Sequence, residues 1–327
     1  MYVFTVNAFP YGPFKGQAVM EQVYEPDWST EARVAYTCQV ADILADITPP
    51  VVAPSIQTAP LALRSNVRGD ADIEGITTNL LRVVAHLIGL EERSGRRVKL
   101  ALEPEPFCLL ETTEETIEYF RRHVWSPKGI QTLCGLTGLP VSEAVGRVRR
   151  HLGVVFDICH QSVAFEHIPT SLRLLGEAGV PIYKLQAAAA LRVRDVTPGA
   201  VAALDAFTDT IYLSQTTESR DGRLTKILTL ADAIRRWHAD PAGRREWRTH
   251  FHVPIFLHDL GEFGTTRSDI DDAVAVHAMT PLSDHLEVET YTWDVLPAHL
   301  KSGDITDYVA RELEWLRGRL RAAAPPS

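Results

Sequence analysis

Short apolar runs with β-strand character recur along the chain, and each ends in acids, histidines or amides. They are VKLALEPEP (98–106), GVVFDICH (153–160), PIYKLQ (181–186), RTHFHVPIF (248–256) and HLEVETYTW (285–293). Stretches of helical periodicity separate them, and such alternation packs as a mostly parallel sheet. Polar groups at the C-terminal ends of successive parallel strands are how an α/β barrel builds its site. The expected fold is therefore α/β, a (β/α)8 TIM barrel in a single domain spanning 1–327.

Six barrel strands are expected, at 2–8, 51–57, 98–104, 153–158, 181–186 and 285–291. Between them, Ser29 has N-cap character for a helix reaching about Ile47. A second helix over 70–92 carries Ile73, Ile76, Leu80, Leu81 and Val84 on one stripe. Thr112 or Thr113 caps a helix with Ile117, Tyr119, Phe120 and Val124, and Pro140 and Ser142 open the next. A helix over 170–178 ends at Gly179, a natural C-cap. One stretch breaks the rhythm: the runs 210–217 and 222–230 flank Asp221-Gly222, a hairpin turn signal. Residues at about 195–265 are read as an inserted hairpin and helix between the last two barrel strands. They serve either as cover for the site or as a stabilising excursion.

Side chains alternate across a strand, so residues i and i+2 share a face. Glu103/Glu105, Asp157/Cys159, Lys184/Gln186, His250/His252 and Glu287/Glu289 are such pairs. Pro104 and Pro106 cannot donate ladder hydrogen bonds, so LEPEP marks a strand end where a carboxylate can face a cleft. The alternative for Glu103 is a surface ion pair. Asp157 ends an apolar strand and His160 follows three residues on, so the two could bind a divalent cation. The alternative is that Asp157 caps the next helix and His160 packs as a neutral donor. For the HFH pair the alternative is structural, facing the inserted hairpin.

The 42 acidic and 33 basic residues give a net charge of −9, without a basic tract. A groove for nucleic-acid phosphates is not expected from that balance. Cys38, Cys108, Cys134 and Cys159 are widely spaced and read as reduced thiols. With neither a signal-peptide pattern nor eighteen consecutive apolar residues, a cytoplasmic location is expected.

LALEPEP, GVVFDICH and LEVETYTW resemble the metal-binding strand ends of the xylose-isomerase-like TIM-barrel superfamily, which holds sugar and sugar-phosphate isomerases and epimerases and an endonuclease branch. A closer resemblance is to the metabolite traffic protein EboE family, over most of the chain. It is carried by YVFTVNAFPYGPFKG, MEQVYEPDW, AYTCQVADILADI, SIQTAP, HFHVPIF and LEVETYTWDVLP. The resemblance implies that Glu103, Asp157 and Glu289 bind metal and that His160 is the histidine after the aspartate. Gln186 falls where superfamily enzymes place a metal-binding histidine. An amide oxygen can still ligate a hard cation, and His250 and His252 can supply nitrogen ligands. The resemblance also implies two further βα units before the strand at YVFTVNAF, so this chain is expected to lack the first two units of its barrel.

The leading functional expectation is a divalent-metal isomerase or epimerase using Mg²⁺, Mn²⁺ or Zn²⁺. Glu105 or Glu287 would shuttle the proton, with His160 at the reacting centre. Asn7, Tyr11, Lys184 and Trp293 are candidate substrate contacts. The second expectation is a non-catalytic protein that carries a small-molecule metabolite, with partners from a metabolite-traffic gene cluster, membrane proteins among them. Phe9, Tyr11, Phe14, Tyr291 and Trp293 would stack on the cargo; their alternative is ordinary packing. An endonuclease-like hydrolase is a remote third.

Overall fold

The computed structural model describes residues 2–12, 20–204, 207, 212–289, 292–293, 296–297, 300–301 and 303–324. In chain order the strands and α-helices are β1 (Thr5–Asn7), α1 (Glu31–Ile47), β2 (Ser55–Thr58), α2 (Asp70–Ser94), β3 (Lys99–Leu102), α3 (Thr113–Tyr119), α4 (Pro127–Thr137), α5 (Val141–His151), β4 (Leu152–Asp157), α6 (Ile158–Val163) and α7 (Ile168–Ala178). There follow β5 (Ile182–Ala187), β6 (Ala189–Val193), α8 (Pro198–Leu204), β7 (Thr216–Arg220), β8 (Arg223–Ile227), α9 (Leu230–Ala239), β9 (Arg245–Val253), β10 (Gly264–Thr265), α10 (Arg267–Met279), β11 (Leu286–Val288) and α11 (Ile305–Ala323).

All six expected barrel strands are present, in one sheet of order β1-β2-β3-β4-β5-β11. The pairs β1–β2, β2–β3, β3–β4 and β5–β11 are parallel, β3 and β4 in the register Leu100↔Leu152 to Leu102↔Val154. The class is α/β with βα alternation, as expected, with six strands among the described residues where a closed TIM barrel has eight. The strand expected at 51–57 begins only at Ser55. It is flanked on both sides, and Pro54 just before it cannot donate to a ladder. β3 likewise stops at Leu102, before Pro104.

Two compact units make up the chain. The first comprises 1–156, 173–184 and 283–285; the second comprises 157–172, 185–282 and 286–327. In the first unit, α2 buries Ile76, Leu80, Leu81 and Val84, with Ile73 half-buried. By length and composition this helix could cross a membrane, but its apolar stripe is used in the core. Thr112 caps α3 through a reciprocal box with Glu115. The cap of α1 is Thr30, one residue beyond Ser29, whose hydroxyl instead donates to Asp27.

A Cβ on Gly129 in α4 would overlap the carbonyl oxygen of His123 and lie 2.6 Å from that of Val124. Gly129→Ala is expected to destabilise the protein by roughly 2–4 kcal/mol, because the obstacle is backbone. Urea unfolding of the variant checks this.

His285 is also in the first unit, with Nδ1 2.8 Å from Ser55 Oγ and its ring 5.1 Å from that of Phe4. Burial, followed by Lys99 and Lys184, lowers its pKa to about 4, against an opposing pull from Asp284. The unfolded chain takes up this proton near pH 6.5, while the folded chain resists until about 4. The contribution to stability is thus complete above pH 6.5 and is lost as pH falls towards 4. The stability difference between wild type and His285→Gln is expected to shift by on the order of 2 kcal/mol across that window, read from urea midpoints.

The second unit holds a five-stranded antiparallel sheet of order β10-β6-β9-β7-β8. The insertion expected at 195–265 supplies four of its strands, and β6 is the fifth. Asp221 and Gly222 both have positive φ, 51° and 76°, and join β7 to β8 with Arg220 opposite Arg223. This is the primed turn that DG favours. The arms are shorter than expected, and 210–211 lie outside the described residues. β9, which contains HFHV, belongs to this antiparallel sheet.

Candidate metal centre

The second unit brings together Asp157, His160, His250 and His252. β4 ends at Asp157 because its carboxylate caps the helix that follows: Oδ1 accepts from Cys159 N at 2.6 Å and His160 N at 3.2 Å. The capping alternative read for Asp157 is therefore present. Oδ1 caps α6, while Oδ2 is buried without a hydrogen-bond partner, 3.7 Å from His160 Nε2. Because α6 begins at Ile158, Asp157 and Cys159 are not two residues of one strand face. Cys159 sits in the first turn of the helix.

The two histidines of β9 owe their position to a bulge. Along β6, Ala190 pairs with His252 and the next residue, Leu191, pairs with Thr249. His250 and Phe251 are thus extra residues on β9. Bulges bend a strand and re-aim its side chains, and they recur beside functional sites. His250 Nε2 lies 3.1 Å from His160 Nε2, with ring centroids 4.5 Å apart. The His250 and His252 rings are 5.3 Å apart.

Each β9 histidine is held from behind. His250 Nδ1 is 2.9 Å from Gln215 Oε1. His252 Nδ1 is 3.2 Å from the carbonyl oxygen of Glu289, whose carboxylate is 3.7 Å away. A carbonyl only accepts, so His252 Nδ1 carries the proton and Nε2 carries the lone pair. An imidazole fixed in this tautomer by a partner behind it is the usual arrangement of a metal ligand. Burial holds His252 down to about 4 against the nearby Asp157, and burial with His160 and His252 holds His250 well below the usual range. Both are neutral at pH 7. Burial also pushes Asp157 up to about 6, opposed by His252 and the two capping N–H groups and reinforced by Glu287. Desolvation outweighs the Asp157–His252 attraction.

The ligand atoms of Asp157, His160 and His252 all lie within 4.8 Å of one another. Gln186 on β5 stands opposite Glu287 on β11, and both its amide atoms are buried without a hydrogen-bond partner. The buried carboxylate of Asp157 and the imidazoles of His160 and His252 form a donor set that fits a divalent cation.

Glu103 and Glu105 belong to the first unit. There Lys184 Nζ donates to Gln57 Oε1 at 2.6 Å, and Gln57 Nε2 donates to Glu103 Oε2 at 2.6 Å. Glu105 accepts from Tyr24 OH at 2.8 Å. Asn7 is exposed, and its side-chain oxygen accepts from Phe9 N. Tyr11 is exposed and edge-on to Tyr36 at 5.1 Å. Phe9 packs on Tyr24, and Trp293 packs on Tyr308 at 4.7 Å. Phe14 and Tyr291 lie outside the described residues. Sequence reasoning missed Gln57, Tyr24 and Gln215. Each is an ordinary polar residue in its local context.

No protein-family profile and no curated protein matches the chain; the EboE-family resemblance rests on the sequence motifs. Among solved structures, the chain is similar to an L-ribulose 3-epimerase at 11% identity, covering 94% of this chain and 74% of that one with a TM-score of 0.46. A xylose isomerase-like TIM barrel protein from Mycobacterium smegmatis in complex with magnesium is similar at 10% identity, with 90% and 69% covered and a TM-score of 0.46. The IOLI protein with a bound zinc atom is similar at 13% identity, with 90% and 71% covered and a TM-score of 0.45. At these identities the similarities concern the fold alone.

Proposed function

We propose that this protein is a divalent-metal-dependent isomerase or epimerase acting on a polyhydroxylated carbonyl compound such as a sugar or sugar phosphate. The observation that carries the metal is the buried convergence of Asp157, His160 and His252 in the second unit. The reaction class draws on the superfamily resemblance of the strand-end motifs. Two imidazoles and one carboxylate suit Zn²⁺ or Mn²⁺ better than Mg²⁺. When bound, the ion would supply Lewis acidity towards a carbonyl oxygen and its neighbouring hydroxyl.

The chain's own groups do the remaining work. Asp157 and the imidazoles of His160 and His252 would hold the cation, and the Glu289 carbonyl fixes the orientation of the His252 ring. Gln186 offers an amide to a substrate hydroxyl. Glu287, in register with Gln186, takes and returns the proton of the carbon that changes configuration.

The test is metal content by elemental analysis, followed by NMR detection of deuterium uptake from D2O at the carbon next to the carbonyl. Pentoses, hexoses and their phosphates form the panel. Metal-dependent uptake supports the reading. Glu287→Gln is expected to keep the metal and lower the exchange rate by about 10²-fold or more. Stoichiometric metal without exchange on any panel member would overturn the isomerase reading and leave a binding protein. Of the aromatic residues expected to stack on a cargo, Phe9 packs on Tyr24 and Trp293 on Tyr308.

A further inference from the structure

The donor cluster of the second unit contains more ligands than one ion needs. Besides the Asp157 set, Cys159, His250 and His252 place one ligand atom each within 4.8 Å of the others, and all three residues are buried. We infer that Cys159, His250 and His252 form a second, sulfur-containing metal position, selective for Zn²⁺ and comparable soft ions.

Rigid elements set all three ligands. Cys159 is fixed in the first turn of α6, where its N–H is tied to Asp157 Oδ1. The bulge on β9 presents His250, and His252 follows where pairing with β6 resumes. The two imidazoles have their Nδ1 atoms on Gln215 and on the Glu289 carbonyl, so Nε2 is the atom each ring would turn to a cation, His250 exchanging its 3.1 Å contact with His160 Nε2 for the ion. Behind the thiol, Val163, Ala188 and Ala190 cluster with Cys159 in a buried apolar group. That wall keeps water from the sulfur side, and such shielding strengthens thiolate coordination. One thiolate and two imidazoles suit Zn²⁺ and disfavour Mg²⁺, which prefers oxygen. On binding, the thiol proton leaves to solvent.

His252 belongs to both sets, and its Nε2 can bind only one ion at a time. The two positions therefore compete for it: a harder ion is held by Asp157 and His160, a softer one by Cys159 and His250. The inference rests on the proposed metal site only through this shared histidine.

Cobalt(II) tests it, because thiolate coordination produces a sulfur-to-cobalt charge-transfer band in the near ultraviolet that oxygen and nitrogen ligands do not. The whole chain, loaded with one equivalent of Co²⁺, is expected to show the band. Cys159→Ser should abolish it while cobalt remains bound through Asp157, His160 and His252. Asp157→Asn should keep it. His250→Asn removes a ligand without disturbing the thiol's packing; it guards against misfolding of the Cys159 variant and should weaken the band. Circular dichroism verifies folding of each. Bound cobalt without the band, or a band that survives Cys159→Ser, overturns the sulfur position and leaves the Asp157 site standing. A band lost in Cys159→Ser with no Asp157-dependent metal binding would leave the sulfur position standing and overturn the Asp157 site. Absence of any bound cobalt overturns both.

Discussion

Asp157→Asn is expected to weaken divalent-metal binding by more than 10²-fold while leaving the protein folded. Losing a group that merely supports a ligand costs about 10–100-fold in affinity, and Asp157 is placed to be a ligand itself. Asparagine keeps the helix cap, since its side-chain oxygen can still accept from Cys159 N and His160 N. The metal-free proteins should differ in the opposite sense. Burial raises the Asp157 carboxyl to about 6, above its unfolded value near 3.9. Folding therefore favours the protonated form, and wild-type stability falls as pH rises from about 4 to 6. Above that range the buried carboxylate costs about 3 kcal/mol. Metal-free Asp157→Asn should accordingly match wild type near pH 4 and exceed it at pH 7. Isothermal titration with Zn²⁺, together with urea melts of chelated protein at the two pH values, checks both halves. Unchanged Zn²⁺ affinity would remove Asp157 from the site.

The second large effect belongs to the first unit. Lys184→Met is expected to destabilise the protein by about 3–5 kcal/mol, the usual cost of leaving a buried charge without its partner. Lys184 and Gln57 are fully buried, and Glu103 is only 3% exposed. The ammonium is linked through the Gln57 amide to the Glu103 carboxylate. Removing the cation leaves the acid its Gln57 hydrogen bond but takes away the positive charge behind that amide; removing both charges should not leave that imbalance. The double variant Lys184→Met/Glu103→Gln is expected to recover at least half of the loss, giving a coupling energy of roughly 2 kcal/mol in a double-mutant cycle. Additive losses would mean that the two charges do not depend on each other.

The strands and their polar endings were legible because their signals are local. Pro104 and Pro106 mark the end of β3, Gly179 ends α7, and Asp221-Gly222 turns the hairpin, whereas Pro54, inside the strand expected at 51–57, sets a later start for β2. β6 was not legible: only Ala188 separates it from β5, and nothing in LQAAAALRV marks a change of sheet. The i, i+2 spacing places Cys159 beside Asp157 on a strand face, but the aspartate's own capping bonds start a helix there. The HFH motif was visible, yet its bulge was not, because a bulge is defined by the partner strand.

By itself, then, the sequence determined most of the order of strands and helices and the donor chemistry on offer: carboxylates, imidazoles, thiols and no excess of positive charge. Only the tertiary structure decided which donors meet. His160 and His250 are 90 residues apart in sequence and 3.1 Å apart at Nε2. Local propensity and side-chain periodicity act over a few residues, whereas a metal needs its ligands converged from separate elements to within a few ångströms. That convergence is set here by the cap at Asp157, the register of β6 on β9 and the two extra residues of the bulge.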